Sequence, residues 1–120
     1  VYFIFRAMWI RHWCKLHCIS SRQGTLLHLV RVFETMLQEA QPELCWHLVE
    51  IGLHPTRVAF NWILYAFADF LPVEQVLLLW DRILGFDSLL PLPCLAVAIF
   101  SFRASSLMQA HDADRARKIL

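Results

Sequence analysis

Glycine is scarce in this 120-residue chain, occurring three times. There is no Asn-Gly or Asp-Gly pair to make a two-residue hairpin, and no segment alternates strictly between apolar and polar. Those absences argue against a sheet. Charge is also thin: 18% of residues are Asp, Glu, Lys or Arg, and the net charge is +1. The basic residues are scattered, which excludes the clustered stripe that neutralises nucleic-acid phosphates. No Gly-rich phosphate loop, GxSxG elbow or HExxH pair is present, so the common local signatures of nucleotide, acyl and zinc chemistry are missing. The longest uncharged run, Ser88 to Phe102, is shorter than the roughly 18 to 20 apolar residues of a membrane span. Pro91 and Pro93 also interrupt it, and a buried core helix is the expectation there.

What the chain has in abundance is apolar surface. Its hydrophobic content is 58%, with five Trp and nine Phe, which excludes disorder. A domain of this size has much surface for its volume and cannot readily cover so many large side chains. The expectation is a piece whose apolar faces meet another half of the same domain, or a partner. Four Cys without a secretory signal predict reduced thiols and a cytoplasmic setting.

Periodicity predicts about six to seven helices and an all-α fold. The segment Tyr2 to His17 is apolar nearly all round, the pattern of a helix buried on several sides. Ser20 and Gln23 fit a capping box ahead of the next helix. Leu26, Val30, Phe33, Leu37 and Ala40 then form one stripe, with His28, Arg31, Glu34, Thr35 and Gln38 opposite. Pro42 opens a helix whose inner face is Leu44, Leu48 and Ile51, and Gly52 closes it in a left-handed conformation. Pro55 opens a helix to about Phe70. Pro72 opens another to about Leu84, closed by Gly85. In that helix Val73, Val76, Leu77, Trp80 and Leu84 share a face expected to be inward. Asp81, about 100° further round, should accept hydrogen bonds at the edge of the stripe. A further helix is expected from Pro93, carrying Ala96, Ile99, Phe100 and Leu107 inward. A last one is capped by Asp112.

Candidate chemistry is sparse. His12, Cys14, His17 and Cys18 make a dense cluster, and Cys14 and Cys18 share a helix face. A structural zinc site needs four ligands, however, and Cys45 and His47 complete the set only by an accident of packing. Buried free Cys acting as a small hydrophobe is the simpler expectation. Trp9, Trp13, Trp46, Trp62 and Trp80 read as core packing first and interface anchors second. The sequence points to no catalytic, cofactor-binding or metal-binding residue.

One resemblance organises these features. Pro42, Leu44, His47 and Leu48 match a Pro-x-Leu-x-x-His-Leu helix. Pro55, Trp62, Phe67, Pro72, Trp80 and Asp81 follow in the order and approximate spacing of the same family. The chain resembles the C-terminal half of the TBC domain, the helical domain of Rab GTPase-activating proteins, over nearly its whole length. Asp69 and Leu78 stand where many relatives carry arginine, so it resembles a divergent branch. The resemblance implies a part, residues 1–120, of a domain that regulates a small GTPase of the Rab family in vesicle traffic. Its place would be the cytoplasm, peripheral to membranes, and it would be an activator of an enzyme rather than an enzyme. The alternative is a TBC-like scaffold that binds a GTPase or another protein without stimulating hydrolysis.

In that family an arginine from Ile-x-x-Asp-x-x-Arg balances charge on the transferring phosphoryl group. A glutamine from Tyr-x-Gln-Gly positions the attacking water. Both effects follow the general logic of phosphoryl transfer. Gln23-Gly24 has Ser21 where that motif has Tyr, and Asp112-x-x-Arg115 has Gln109 in place of Ile, at the wrong end of the domain. Neither is carried over. The finger residues are expected in an N-terminal half outside this chain.

Overall fold

The computed structural model describes residues 1–17 and 25–120, so the Ser20–Gln23 capping box, Cys18 and Gln23-Gly24 lie outside the described residues. The described residues are helical and contain no strand. The chain begins with one continuous rod: α1 (Tyr2–Met8), a π-helical turn (Trp9–Trp13) and α2 (Cys14–Leu16). There follow α3 (Leu26–Ala40), α4 (Pro42–Glu50), α5 (Pro55–Leu64), α6 (Val73–Phe86), α7 (Pro91–Phe102), α8 (Ala104–Met108) and α9 (Ala113–Ile119).

α3 is the hub. It packs mainly on α5 and α7 and also touches α4. Its inward stripe is Leu26, Leu29, Phe33 and Leu37, with Val30 half-buried and Ala40 exposed at the end. Leu44 and Leu48 of α4, Ala59 and Ile63 of α5, and Leu92, Ala96 and Phe100 of α7 close around it. Each fully buried Leu or Phe contributes roughly 1.5 to 3 kcal/mol through removal from water. That shared burial fixes where α4 and α5 sit.

Proline and left-handed turns set the boundaries. Pro42 and Pro55 each occupy the first helical position, where a missing N–H costs nothing. α7 starts at Pro91, two residues before the expected Pro93. Both prolines fit because the first turn of a helix has no intrahelical acceptor for its N–H groups. α4 ends as expected at Gly52, φ 89°, where Leu53 N–H reaches the Leu48 carbonyl and Gly52 N–H that of Val49. That is the paired bonding of a Schellman cap.

α5 stops at Leu64 rather than near Phe70, because the same cap forms there on Ala66 and Phe67, φ 49° and 62°. α6 runs past Gly85 to Phe86 and is closed by left-handed Asp87, φ 51°. Gly85 is thus an interior helical residue. The expected helix through Leu107 divides at Arg103 into α7 and α8. Asp112 caps α9, its Oδ1 accepting from Arg115 N–H at 2.6 Å.

The opening rod departs most from expectation. α1 has no buried residue: Tyr2, Phe3, Ile4 and Phe5 are all at least 60% exposed. Contact with the body begins only at the π-helical turn, whose extra residue re-aims the side chains that follow. His12 and Leu16 face inward there, with Trp13 half-buried beside them. The rod therefore overhangs the body. The radius of gyration is 14.9 Å, somewhat above the 13 to 14 Å or so of a compact chain this long.

Candidate functional site

The ten signature residues separate into three groups, each set by the element that carries it. On α4, Leu44 and Leu48 are buried one turn apart on the core face. His47 lies between them and the solvent face, and its ring Nε2 is 2.8 Å from the carbonyl oxygen of Ala110. That bond ties α4 to the segment after α8. Pro42, at the helix start, is exposed.

The second group is aromatic. Pro55 is buried at the start of α5, and two turns later Trp62 enters the core. The cap that ends α5 then turns Phe67 inward, fully buried. The ring centroid of Trp62 lies 4.5 Å from that of Phe70, 5.7 Å from Phe67 and 5.6 Å from Phe100. Such tilted clusters satisfy the ring quadrupoles as well as filling space. Left-handed backbone at two non-glycine residues costs roughly 1 to 2 kcal/mol each. The burial of Phe67 offsets that cost.

Trp80 joins the second group to the third. From α6 its indole Nε1–H donates to the Ala66 carbonyl at 3.1 Å, satisfying a backbone acceptor that the left-handed turn leaves out of the helix ladder. Its other face meets Trp13 edge-on, with centroids 5.2 Å apart. Pro72 caps α6 from an exposed position.

Here the expected helical face is wrong. α6 buries Val76, Leu79 and Ile83, whereas Val73, Leu77 and Leu84 are exposed and Trp80 is half-buried at the margin. Asp81 is exposed, and among the described residues it accepts none of the bonds expected of it. The inward face is rotated by about one residue, because the apolar arc of α6 is wider than the strip it buries and periodicity alone does not centre that strip. Trp80 keeps an inward role through its hydrogen bond and Trp13.

A second polar feature has no local signature in the sequence. His12 is buried, and its Nε2 lies 3.3 Å from Asp87 Oδ1 at the left-handed end of α6. The approach is misaligned for a hydrogen bond, and neither ring nitrogen has such a partner among the described residues. Burial pushes the imidazole below its ordinary pKa; Asp87 opposes this, while Lys15 and Arg11 add to it. Arg11 also approaches Asp87 at 3.7 Å, on the solvent side.

The other members of the dense His/Cys cluster disperse. The Cys14 thiol donates to the Ile10 carbonyl, and exposed His17 stacks on Trp9. Cys45 lies on α4, where burial and then Glu34 push its thiol pKa up, away from the nucleophilic thiolate. Among the described residues no three His, Cys, Asp or Glu side chains gather closely enough to hold a metal ion. Apart from exposed Asp81, the signature residues are occupied with packing and helix ends. The tryptophans divide between roles: Trp62 is core, Trp13 and Trp80 are half-buried, and Trp9 and Trp46 are 42% and 72% exposed.

Comparison with known proteins gives the same family. The Rab-GTPase-TBC domain model matches residues 1–108. Human TBC1 domain family member 19 is 46% identical over all 120 residues, which make up 23% of that protein. The TBC domain-containing protein kinase-like protein of Dictyostelium discoideum is 33% identical over 74% of the chain, and mouse TBC1 domain family member 2A is 32% identical over 68%. The matched region is 9% of each of these two proteins, so the chain spans a quarter or less of the relatives it matches. No solved structure is significantly similar to it.

Proposed function

The chain belongs to the Rab-GTPase-TBC domain family, and from that premise we propose that it is the C-terminal part of a Rab GTPase-activating domain whose finger residues lie in the other half. The observation that carries this reading is the role of Asp112 and Arg115, which have the spacing of the arginine motif. Asp112 uses its carboxylate to cap α9 on the backbone N–H of Arg115, and Arg115 is itself exposed. The rest of the fold serves as a scaffold. Trp62, Phe67 and Trp80 join α5 and α6 through the turn between them, His47 ties α4 to the segment after α8, and together they hold the surface on which the catalytic half and the GTPase assemble. The uncovered apolar rod of α1 is the face that meets that other half. The parent protein acts on a small GTPase of the Rab family, in the cytoplasm at the surface of trafficking membranes. Among the described residues no helix is long and apolar enough to cross a membrane.

A second reading is a scaffold that binds a GTPase without stimulating it. It draws on Asp69 and Leu78, both exposed where many relatives carry arginine. Single-turnover GTP hydrolysis across a panel of Rab proteins tests the proposal. The chain alone is expected to give no acceleration. A tenfold rise, worth about 1.4 kcal/mol of barrier, would overturn it. The parent protein, assayed in parallel, separates the two readings: acceleration by it supports the activating domain, and GTPase binding without acceleration supports the scaffold.

A further inference from the structure

α6 and α7 leave between them an open, apolar groove of about 1060 Å³. Phe70, Leu79, Leu95 and Ile99 line its deeper part, and exposed Leu78 and Phe102 form its lips. No carboxylate lines it. Its charged groups are two arginines, Arg82 and Arg103. Arg103 is partly engaged, donating to the carbonyls of Ile119 and Leu120. Arg82 is exposed and has no ion-pair partner among the described residues. Grooves of this form between two helices accept a third helix, read by an apolar anchor and flanking charge.

The complementary feature is on the same molecule. Along α4, Glu43, Trp46 and Glu50 follow at steps of three and four, so they form one stripe, with Val49 beside it. All four are exposed. Trp46 is 72% exposed although it is flanked by well-packed core residues on its own helix. An exposed Trp between two carboxylates is the counterpart of an apolar groove with arginines at its rim. Trp and Arg are also the side chains most often found to carry interface energy. α4 packs mainly on α3, α5 and α8, so its outer stripe is held away from the groove of its own copy.

We propose that the chain self-associates head to tail, α4 of one copy seating Trp46 in the α6–α7 groove of the next, with Glu43 and Glu50 facing Arg82. This inference is independent of the GTPase reading and stands or falls without it. The two surfaces differ, so the contact is heterologous, and each added copy leaves one stripe and one groove free.

Sedimentation velocity over a range of concentrations tests this. The chain is expected to grow beyond a dimer as concentration rises. Trp46→Ala and Arg82→Glu, both at exposed positions, are each expected to weaken association at least tenfold while leaving the helical circular dichroism unchanged. An equimolar mixture of the two variants should form a one-to-one complex that grows no further, because it retains one intact stripe and one intact groove. Combining Arg82→Glu with Glu43→Lys and Glu50→Lys in one chain should restore association by exchanging the charges, which keeps the test decisive even if Trp46→Ala folds poorly. A monomer at every concentration would overturn the proposal. So would association that these changes leave intact but that Phe3→Ser and Ile10→Ser abolish, since the contact would then be made by the apolar rod of α1.

Discussion

Trp80 and Asp81 are adjacent in sequence and differ completely in role. Trp80 is half-buried, donates to the Ala66 carbonyl and meets Trp13, whereas Asp81 is exposed. Trp80→Ala is expected to cost about 2 to 3 kcal/mol, below the ~3 to 5 kcal/mol of a fully buried aromatic. Trp80→Phe keeps most of the packing and loses the bond, for about 1 kcal/mol. Asp81→Asn should stay within about 0.5 kcal/mol of the parent. Urea unfolding of the three variants checks the order, and an Asp81 effect as large as that of Trp80 would contradict it.

His12 makes a different prediction. Its folded pKa lies below the ordinary 6.5, so below that pH the unfolded chain binds a proton that the folded chain resists. The stability due to neutral, buried His12 is therefore complete above about pH 6.5 and declines as pH falls through that value. Unfolding curves at pH 7.5 and 5.5 should differ less in His12→Leu than in the parent.

At the scale of the element, helix ends were legible where a special residue marks them. Pro42, Pro55 and Pro72 start α4, α5 and α6, and Gly52 ends α4, because each offers a backbone conformation or a missing donor that the position requires. Gly52→Ala should cost about 1 to 2 kcal/mol by conformation alone, since no atom lies within 4 Å of the added methyl group. A thermal unfolding scan of this variant would reveal it, and an unchanged midpoint would contradict the left-handed cap. The ends of α5 and α6 were not legible. There Ala66, Phe67 and Asp87 adopt left-handed backbone without glycine; burial of Phe67 and the Trp80 bond hold the first two, and Asp87 lies against His12 and Arg11. Contacts from elsewhere in the chain override local preference, and no local pattern records them.

For the whole molecule, the excess of apolar side chains is the consequential property. Phe3, Phe5, Trp46, Leu78, Phe86 and Phe102 are all largely exposed. The chain should therefore bind an environment-sensitive dye such as anilinonaphthalene sulfonate in its native state, with fluorescence well above that of a compact globular control of equal size. A signal equal to the control would mean that the α1 rod and the α6 face are covered in solution. The signature residues, by contrast, form connected packing: His47 to Ala110, Trp62 to three phenylalanine rings, Trp80 to Ala66.

The sequence alone determined the all-helical class, the inward Leu26, Phe33 and Leu37 of α3, the starts of α4, α5 and α6, the Asp112 cap and the family. Each depends on residue types at short spacings, and periodicity, capping chemistry and ordered motifs are local quantities. Only the tertiary structure decided which face of α6 turns inward, where α5 ends, that α1 stands free of the core, and that His12 meets Asp87. An apolar residue leaves water wherever it finds a neighbour, so burial does not specify which neighbour. In a helix apolar nearly all round, such as α1, or one with a broad apolar arc, such as α6, that choice belongs to the packing of the whole chain.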